Sequence, residues 1–356
     1  MTEPFVIRLQ DPAAANPALT GGKGSSLAKL HRAEFRVPDG FVVTARSFKE
    51  FSTGGRELPL QVTAEIRAHL EHYGDQAFAV RSSSTAEDSA DAAFAGQHET
   101  YLNIRGTEQI LLRVTDCFLS LWNERAVAYR QQRGMDEASA SMAVVVQRLV
   151  PCDSAGVAFS LDPVSGDARR ILIDANRGLG ESVVGGETQV DHWVIARDGL
   201  SVIEESIASK TSRTIPAENG IRHQELSGEE ARAPSLTAAQ TREVAKLVLE
   251  VERKAAFPQD IEWGFAGDEL WLLQARPITT LPERWTRQES AERFPTPISP
   301  LTWDFVEAGF HDSLAWSLKL MGMPPCPGAV VRELRSLHLW KSESGGALLP
   351  APLSRG

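Results

Sequence analysis

The stretch from Asp260 to Arg276, DIEWGFAGDELWLLQAR, constrains this chain more than any other. Two strand-like runs flank Gly267-Asp268, a dipeptide suited to a tight turn, so the segment reads as a β-hairpin. Side chains alternate faces along a strand. Asp260 and Glu262 therefore share one face, with Ile261 and Trp263 on the other. On the returning strand Gln274 and Arg276 lie together, opposite Leu273 and Ala275. A three-residue loop over 267–269 would set Glu262 against Gln274 and Asp260 against Arg276. The four polar groups then form one patch backed by an apolar face. Carboxylate and amide oxygens are hard donors suited to Mg²⁺, which commonly takes phosphate oxygens as well. The arginine would balance charge and hold phosphate. Alone, the same hairpin also reads as a solvated strand face whose Asp–Arg pair contributes under about 1 kcal/mol.

Two other segments carry cations in settings that suit anions. Thr20-Gly21-Gly22-Lys23-Gly24-Ser25-Ser26 places a lysine among glycines just before a helix expected over Ser25 to Ala33. Glycines let the backbone approach an anion, and a helix N-terminus adds partial positive charge. The Walker A pattern fails, because Pro17 stands where its first glycine belongs and Gly24 follows the lysine. A plain glycine-rich turn with a solvated lysine fits equally. Phe78-Ala79-Val80-Arg81-Ser82-Ser83-Ser84-Thr85 carries an arginine from a buried strand into a hydroxyl-rich loop, a donor set that matches phosphate. The segment runs on through Gly96 to Thr100, a stretch that could close over a ligand. The plainer reading pairs Arg81 with Glu87 or Asp88.

Between these motifs the chain alternates helices and strands. A strand is expected over Gln76 to Arg81, and a long amphipathic helix from about Thr107, its N-cap. Further strands are expected over Met142 to Val150, Ala155 to Leu161 and Ile171 to Asp174. The first of these is an apolar run whose end could offer backbone groups to an adenine edge. Asn176 to Glu187 is glycine-dense with two acids, either a nucleotide-facing loop or a tight connection. Segment 197–235 reads as polar and irregular apart from a strand over Leu200 to Glu204. A second helix spans Ala238 to Ala255, with Thr237 and Gln240 as a capping box and Pro258 as its stop. Four prolines between Pro282 and Pro300 suggest a linker. A helix near Trp303 to Leu320 follows, then a proline-rich end with little periodicity.

Composition narrows the function classes. The 37 basic and 47 acidic residues leave a formal charge of −10, which argues against sequence-independent nucleic-acid binding while leaving room for a local basic pocket. No uncharged apolar run reaches the ~18 residues of a membrane-spanning helix. The N-terminal residues carry no basic start followed by an apolar stretch, so the expectation is a cytoplasmic protein. Three widely spaced cysteines, Cys117, Cys152 and Cys326, read as reduced thiols rather than a zinc site.

Taken in order, the segments resemble the N-terminal nucleotide-binding domain of the phosphoenolpyruvate synthase and pyruvate phosphate dikinase family, which rifampin phosphotransferases share. The resemblance rests on GGKGSSLAKL, VPDGFVVT, FAVRSSSTAEDSADAAFAGQHETYLNIRG, VVVQRLV, AGVAFSLDPVSGD, RGLGESVVGGE and QDIEWGFAGDELWLLQARPIT, spread over roughly residues 5–280. It implies an α+β, ATP-grasp-like domain of two lobes holding ATP and Mg²⁺. The first lobe would cover 1–190, the second 191–281, with 282–356 a linker and the truncated start of a following domain. Position by position, Lys23 and Arg81 look like a phosphate-binding pair, and Arg276 a further phosphate contact. Glu262 and Gln274 resemble the Mg²⁺ ligands, and Asp260 an acidic position near metal or ribose. Gln147, Arg148 and Leu149 resemble the adenine-contacting segment, and the loop from Gly96 to Thr100 a cover for the phosphates. Lys23, Arg81 and Arg276 would be the catalytic cations.

Family enzymes pass phosphate from ATP to a histidine on a separate swivelling domain, and thence to pyruvate or to a drug hydroxyl. None of the eight histidines here sits in the Thr/Gly/Ser-rich context of that carrier. The resemblance therefore implies a phosphotransferase domain dependent on a phosphohistidine domain in trans or missing from this chain. The alternative is a nucleotide-binding module without turnover. Direct phosphorylation of a small molecule has no acceptor base to support it.

Overall fold

In the computed structural model the described residues are 3–85, 99–124, 126–127, 141–184, 189–218 and 220–279, with short pieces at 285–286, 309, 312–313, 316, 319–320, 331–334 and 337–341. The chain divides into two compact units. One takes residues 1–160 and 169–277, and the other 161–168 and 278–356.

The larger unit is built on two antiparallel sheets. The first contains β1 (Val6–Arg8), β2 (Gly40–Val43), β3 (Phe78–Ser84), β4 (Thr100–Ile104) and β5 (Met142–Arg148), in the order β1-β2-β5-β3-β4. The run Ala143 to Val146 is apolar at every position because both faces of the sheet are covered. Val42, Ala143 and Val145 pack with Leu27 and Leu30 of helix α1 (Pro17–Arg32). Phe41, Val43, Val144 and Val146 pack instead with α2 (Ala45–Thr53), α3 (Leu60–Glu71) and α4 (Thr107–Leu119). Alternation between two buried faces leaves no polar position to read.

The second sheet contains β6 (Ser154–Phe159), β7 (Arg170–Arg177), β8 (Asp191–Ala196), β9 (Val202–Ser206), β12 (Gln259–Ala266) and β13 (Glu269–Pro277). Its order is β13-β12-β6-β7-β8-β9. A separate hairpin, β10 (Ser212–Pro216) with β11 (Ile221–Glu225), stands beside it. Two short helices, α5 (Glu181–Val184) and α6 (Gly228–Arg232), precede α7 (Ala238–Ala255). One face of the sheet buries Ile261, Trp263, Ala158, Ile173 and Trp193 against Val244, Val248 and Val251 of α7. The same cluster includes Leu27 of α1, so this helix lies in contact with both sheets.

The α+β class is as expected, and the capping box of α7 forms, with Thr237 accepting from the Gln240 amide and Gln240 returning the bond. Several local expectations are corrected. Helix α1 begins at Pro17 rather than Ser25, because only Gly21 (φ 70°, ψ 177°) leaves helical geometry. Gly106, not Thr107, caps α4. The chain changes sheet between β5 and β6, so the division expected at 190/191 falls inside the second sheet. In segment 197–235 the strand expected over Leu200 to Glu204 forms at Val202–Ser206, and two further strands and a helix stand where irregular chain was expected. Those strands are largely exposed, so no apolar alternation marks them.

In the smaller unit Trp285–Thr286, Val331–Leu334 and Leu337–Lys341 form a three-stranded antiparallel sheet. Strand structure thus occurs within both the expected linker and the aperiodic end. Of the helix expected near 303–320, the described residues are helical and the rest lies outside them.

One buried ion pair ties the edge of the second sheet together. Lys210 and Asp191 have fully buried side chains, with Nζ 2.7 Å from Oδ1. Asp191 also accepts from the Ala208 amide through Oδ1 and from the Ser235 amide and hydroxyl through Oδ2. Removing one charge strands the other in a dry site. Lys210→Met should lower unfolding free energy by about 3–5 kcal/mol in urea titrations. Adding Asp191→Asn should cost less than the sum of the single changes; a cost near zero for Lys210→Met would show that the pair is dispensable.

Candidate functional site

The hairpin β12/β13 has the expected register at its polar end, by a different route. Ala266 pairs with Glu269 around a two-residue turn in which Gly267 has φ 58°. A bulge between Glu262 and Trp263, opposite Leu273, then adds back the missing residue. Glu262 faces Gln274 and Asp260 faces Arg276. Asp260 Oδ2 accepts from Nε and Nη2 of Arg276, each at 2.7 Å. Burial pushes the Asp260 carboxyl above the usual carboxylate range, and the Glu262 charge adds to this, while Arg276 pulls the other way. The Arg276 side chain itself stays 58% exposed.

Arg81 reaches the same patch from the first sheet. Its Nη2 donates to Glu262 Oε2 at 2.9 Å and its Nη1 to Gln274 Oε1 at 3.1 Å. The Arg81 and Glu262 side chains are only 13% and 22% exposed. Glu87 and Asp88, the partners in the plainer reading, lie outside the described residues. The Arg81 Nε–H is buried and has no partner among the described residues. A donor left over in a cleft that already holds two oxygens is suited to an incoming anion.

Lys23 is brought in by α1. A side chain at Gly21 would meet the Ser83 carbonyl at 2.3 Å, so glycine is what allows the helix to touch β3. The Gly24 amide donates to Ser83 Oγ at 3.2 Å, and Ser83 Oγ donates to the Thr20 carbonyl at 2.9 Å. Two residues on, Ser26 Oγ donates to the Ala275 carbonyl at 2.6 Å. The turn bearing Lys23 is thus held between the strands that carry Arg81 and those that carry Gln274 and Arg276. Lys23 is half-buried there. Thr100 lies directly across from Arg81 on β4. Gly96 falls outside the described residues.

Gln147 sits on the same sheet face as Arg81: Ala79 pairs with Gln147 and Arg81 with Val145. Its Nε2 donates to the Pro38 carbonyl at 3.3 Å. The Arg148 and Leu149 amides are committed to the carbonyls of Asp39 and Ala77, at 2.8 Å each. The backbone donors expected to meet an adenine edge are therefore used within the protein. The Arg148 guanidinium stacks on Trp271, 5.5 Å from the ring centre, with Arg36 at 5.7 Å. What this segment offers is apolar: Leu149 packs in one cluster with Leu102, Ile221 and Leu273. The glycine-acid loop proves to be a tight connection at its start, with Leu179 in that same cluster and its amide donated to the Thr214 carbonyl.

Glu262 and Gln274 fit a divalent cation, since their oxygens already converge on one cationic group. Among the described residues no cluster of three or more His, Cys, Asp or Glu is placed to hold a metal. Two protein oxygens with the balance from phosphate and water is the usual provision for Mg²⁺. Of the residues singled out in the sequence, the structure brings Arg81 together with the four hairpin residues, with Lys23 on the adjoining helix. Sequence reasoning missed Ser83 and Ser26, which position them, and the Arg81 contacts across the sheets; the run of serines after Arg81 was the available signal.

Residues 53–294 match the family model described as pyruvate phosphate dikinase, AMP/ATP-binding domain. A rifampicin phosphotransferase from a Streptomyces species is 38% identical over 324 residues, covering 80% of this chain and 37% of that protein. A probable phosphoenolpyruvate synthase of Methanocaldococcus jannaschii is 33% identical, over 78% of this chain and 27% of its own length. A prodigiosin synthesizing transferase of Serratia marcescens is 36% identical over 79% and 34%. The chain thus spans little more than a third of these relatives at most. Among solved structures, an ATP complex of Bacillus anthracis D-alanine–D-alanine ligase aligns over 76% of this chain and 58% of its own, at 8% identity and a TM-score of 0.29. No helix among the described residues is long and apolar enough to cross a membrane. With the match extending over more than half its length, the chain belongs to the family of pyruvate phosphate dikinase AMP/ATP-binding domains.

Proposed function

We propose that this chain binds ATP with Mg²⁺ between its two sheets, in an ATP-grasp-like arrangement, and transfers a phosphoryl group to a histidine on a carrier domain outside residues 1–356. The observation that carries this reading is the convergence of Arg81, Glu262 and Gln274 within 3.1 Å across the two sheets. Family membership supports the ATP-binding part. The relatives' greater length supports a carrier supplied from elsewhere. Pyruvate and a rifamycin hydroxyl are the final acceptors that the relatives' names suggest.

Phosphoryl transfer asks a protein chiefly for positioning and for charge stabilisation. Lys23, Arg81 and Arg276 supply three cations around one patch of a chain whose net charge is −10. Arg81 holds its partners in a nearly dry setting, where charge-assisted bonds are strong. Bound Mg²⁺ would supply neutralisation of phosphate charge, held by Glu262 and Gln274. Arg81 currently satisfies both those oxygens, so taking up a triphosphate exchanges its carboxylate and amide partners for phosphate oxygens. Asp260 keeps Arg276 aligned beside them. Leu149 and Leu273 would flank the base at the other end of the cleft, with Gln147 behind.

Four outcomes are expected. Calorimetric titration with Mg–ATP should show Lys23→Ala weakened about 10- to 100-fold, the scale of one charge-assisted phosphate contact. Glu262→Ala should lose the Mg²⁺ dependence of binding, and unchanged affinity in both variants would refute the site. Arg81→Ala should act with opposite signs on two ligands, strengthening Mn²⁺ binding without nucleotide and weakening ATP; equal weakening of both would refute the exchange of partners. Mixing the full chain with a phosphohistidine domain of a relative and γ- and β-labelled ATP should yield acid-labile histidine label. Binding of Mg–ATP with no label on any histidine would instead identify a module without turnover.

A further inference from the structure

The two sheets of the larger unit are joined by backbone on one side only, through residues 149–153 between β5 and β6. Besides the α1 and Arg81 contacts already described, the β10/β11 hairpin makes a non-covalent crossing. Its base is fixed to the second sheet's end, where the Leu179 amide donates to the Thr214 carbonyl at 2.8 Å and Gly178 bridges to Thr214. Among the described residues its tip is hydrogen-bonded to the first sheet by Asn103 of β4. Asn103 Nδ2 donates to the carbonyls of Ala217 (2.5 Å) and Gly220 (2.7 Å). The Gly220 amide returns a bond to the Asn103 carbonyl at 3.3 Å. Asn103 is 1% exposed and has φ 56°, a left-handed conformation that asparagine and glycine tolerate best.

This strap lies by the apolar end of the proposed nucleotide cleft. Ile221, just past its tip, packs in the cluster that holds Leu102 of β4, Leu149 of the connection and Leu273 of β13. Leu273 is next to Gln274, and Leu102 is two residues from Thr100, which faces Arg81. The strap's own strands are half-buried or exposed at every position but the buried Thr214, so little apolar burial holds it closed. Its closure rests on the Asn103 bonds and the Ile221 contact.

We propose that Asn103 is a positioning residue that latches the 212–225 strap across the base end of the nucleotide cleft, and that release of this latch sets the rate at which nucleotide leaves. The proposal rests on the ATP-binding reading above. A side-chain amide is well suited to the task, because its two N–H groups can serve two carbonyls at once. Asn103→Gly removes both donors yet accepts the positive φ without strain. Asn103→Asp keeps the shape but sets a carboxylate against two carbonyl oxygens.

The test is stopped-flow displacement of Mg–AMPPNP from the full chain by excess ATP, followed by tryptophan fluorescence. Asn103→Gly and Asn103→Asp should each release nucleotide at least about tenfold faster, with association no slower. Release rates within twofold of wild type in both variants would overturn the latch. Hydrogen exchange on the wild-type chain keeps the question open to refutation if the variants fold poorly. Saturating Mg–AMPPNP should slow exchange in segment 212–225 while leaving α7 unchanged, and no slowing there would also overturn the proposal. The two readings fail differently: a wild-type chain that binds no Mg–AMPPNP refutes nucleotide binding itself, whereas tight binding with an indifferent strap refutes only the latch.

Discussion

A guanidinium shared by two sheets is the contact on which the site depends. Arg81 projects from β3, and Glu262 and Gln274 from β12 and β13, with 181 and 193 residues of chain between donor and acceptors. A charge this far from water is costly unless its partners are well placed. The placement comes from small residues at the seam. Gly21 lets α1 touch Ser83, and Ser26 fastens the same helix to Ala275. Helix α1 belongs to the core of both sheets, so its packing sets the distance across which Arg81 must reach. Substituting the seam glycine would move the helix before it affected any charge.

Legibility in the sequence followed the range of the forces involved. The β12/β13 hairpin obeys local rules, alternation plus a Gly-Asp turn, and its polar pairing came out correctly although the loop is one residue shorter than expected. Two opposite local errors cancelled, since the bulge at Leu273 restores the register above it. The α7 capping box is likewise a four-residue pattern and formed as read. By contrast, β10 and β11 are held by backbone hydrogen bonds, with side chains that are polar and largely exposed, so hydrophobic periodicity is silent there. The Asn103 bonds span 114 and 117 residues and leave no local trace. The change of sheet near residue 150 was missed for a related reason. Strands β5 and β6 both read as buried, and pattern does not say which sheet a buried strand joins.

The charge balance takes a more definite meaning once positions are known. An excess of acids over bases describes the surface as a whole. Within the cleft the sign is locally reversed, with Lys23, Arg81 and Arg276 set against Glu262 and Asp260. Such a nearly neutral patch inside an acidic molecule would repel a free polyanion at long range less than its net charge suggests, because screening removes distant charges within ~10 Å at ordinary salt. On the ATP-binding reading, selectivity would come from contacts: the buried Arg81 Nε–H and the Glu262 and Gln274 oxygens that Arg81 now occupies.

Two of the links between the sheets, beside those made by α1 and Arg81, differ in kind. One is continuous backbone, anchored by the Asp153 amide to Phe265 and by the Gly178 amide to the Asp153 carbonyl. The other is a hairpin whose tip bonds to Asn103 and whose side chains are half-buried or exposed apart from Thr214. Release of the proposed latch would break a few hydrogen bonds, which costs far less than unfolding a core. Arg81 lies on the same side of β3 as the strap's partner strand β4, paired to it at Thr100. An opening at Asn103 would also loosen the strand that backs Arg81. On the ATP-binding reading, strand Thr100–Ile104 links the Asn103 latch to Thr100, the residue paired with Arg81.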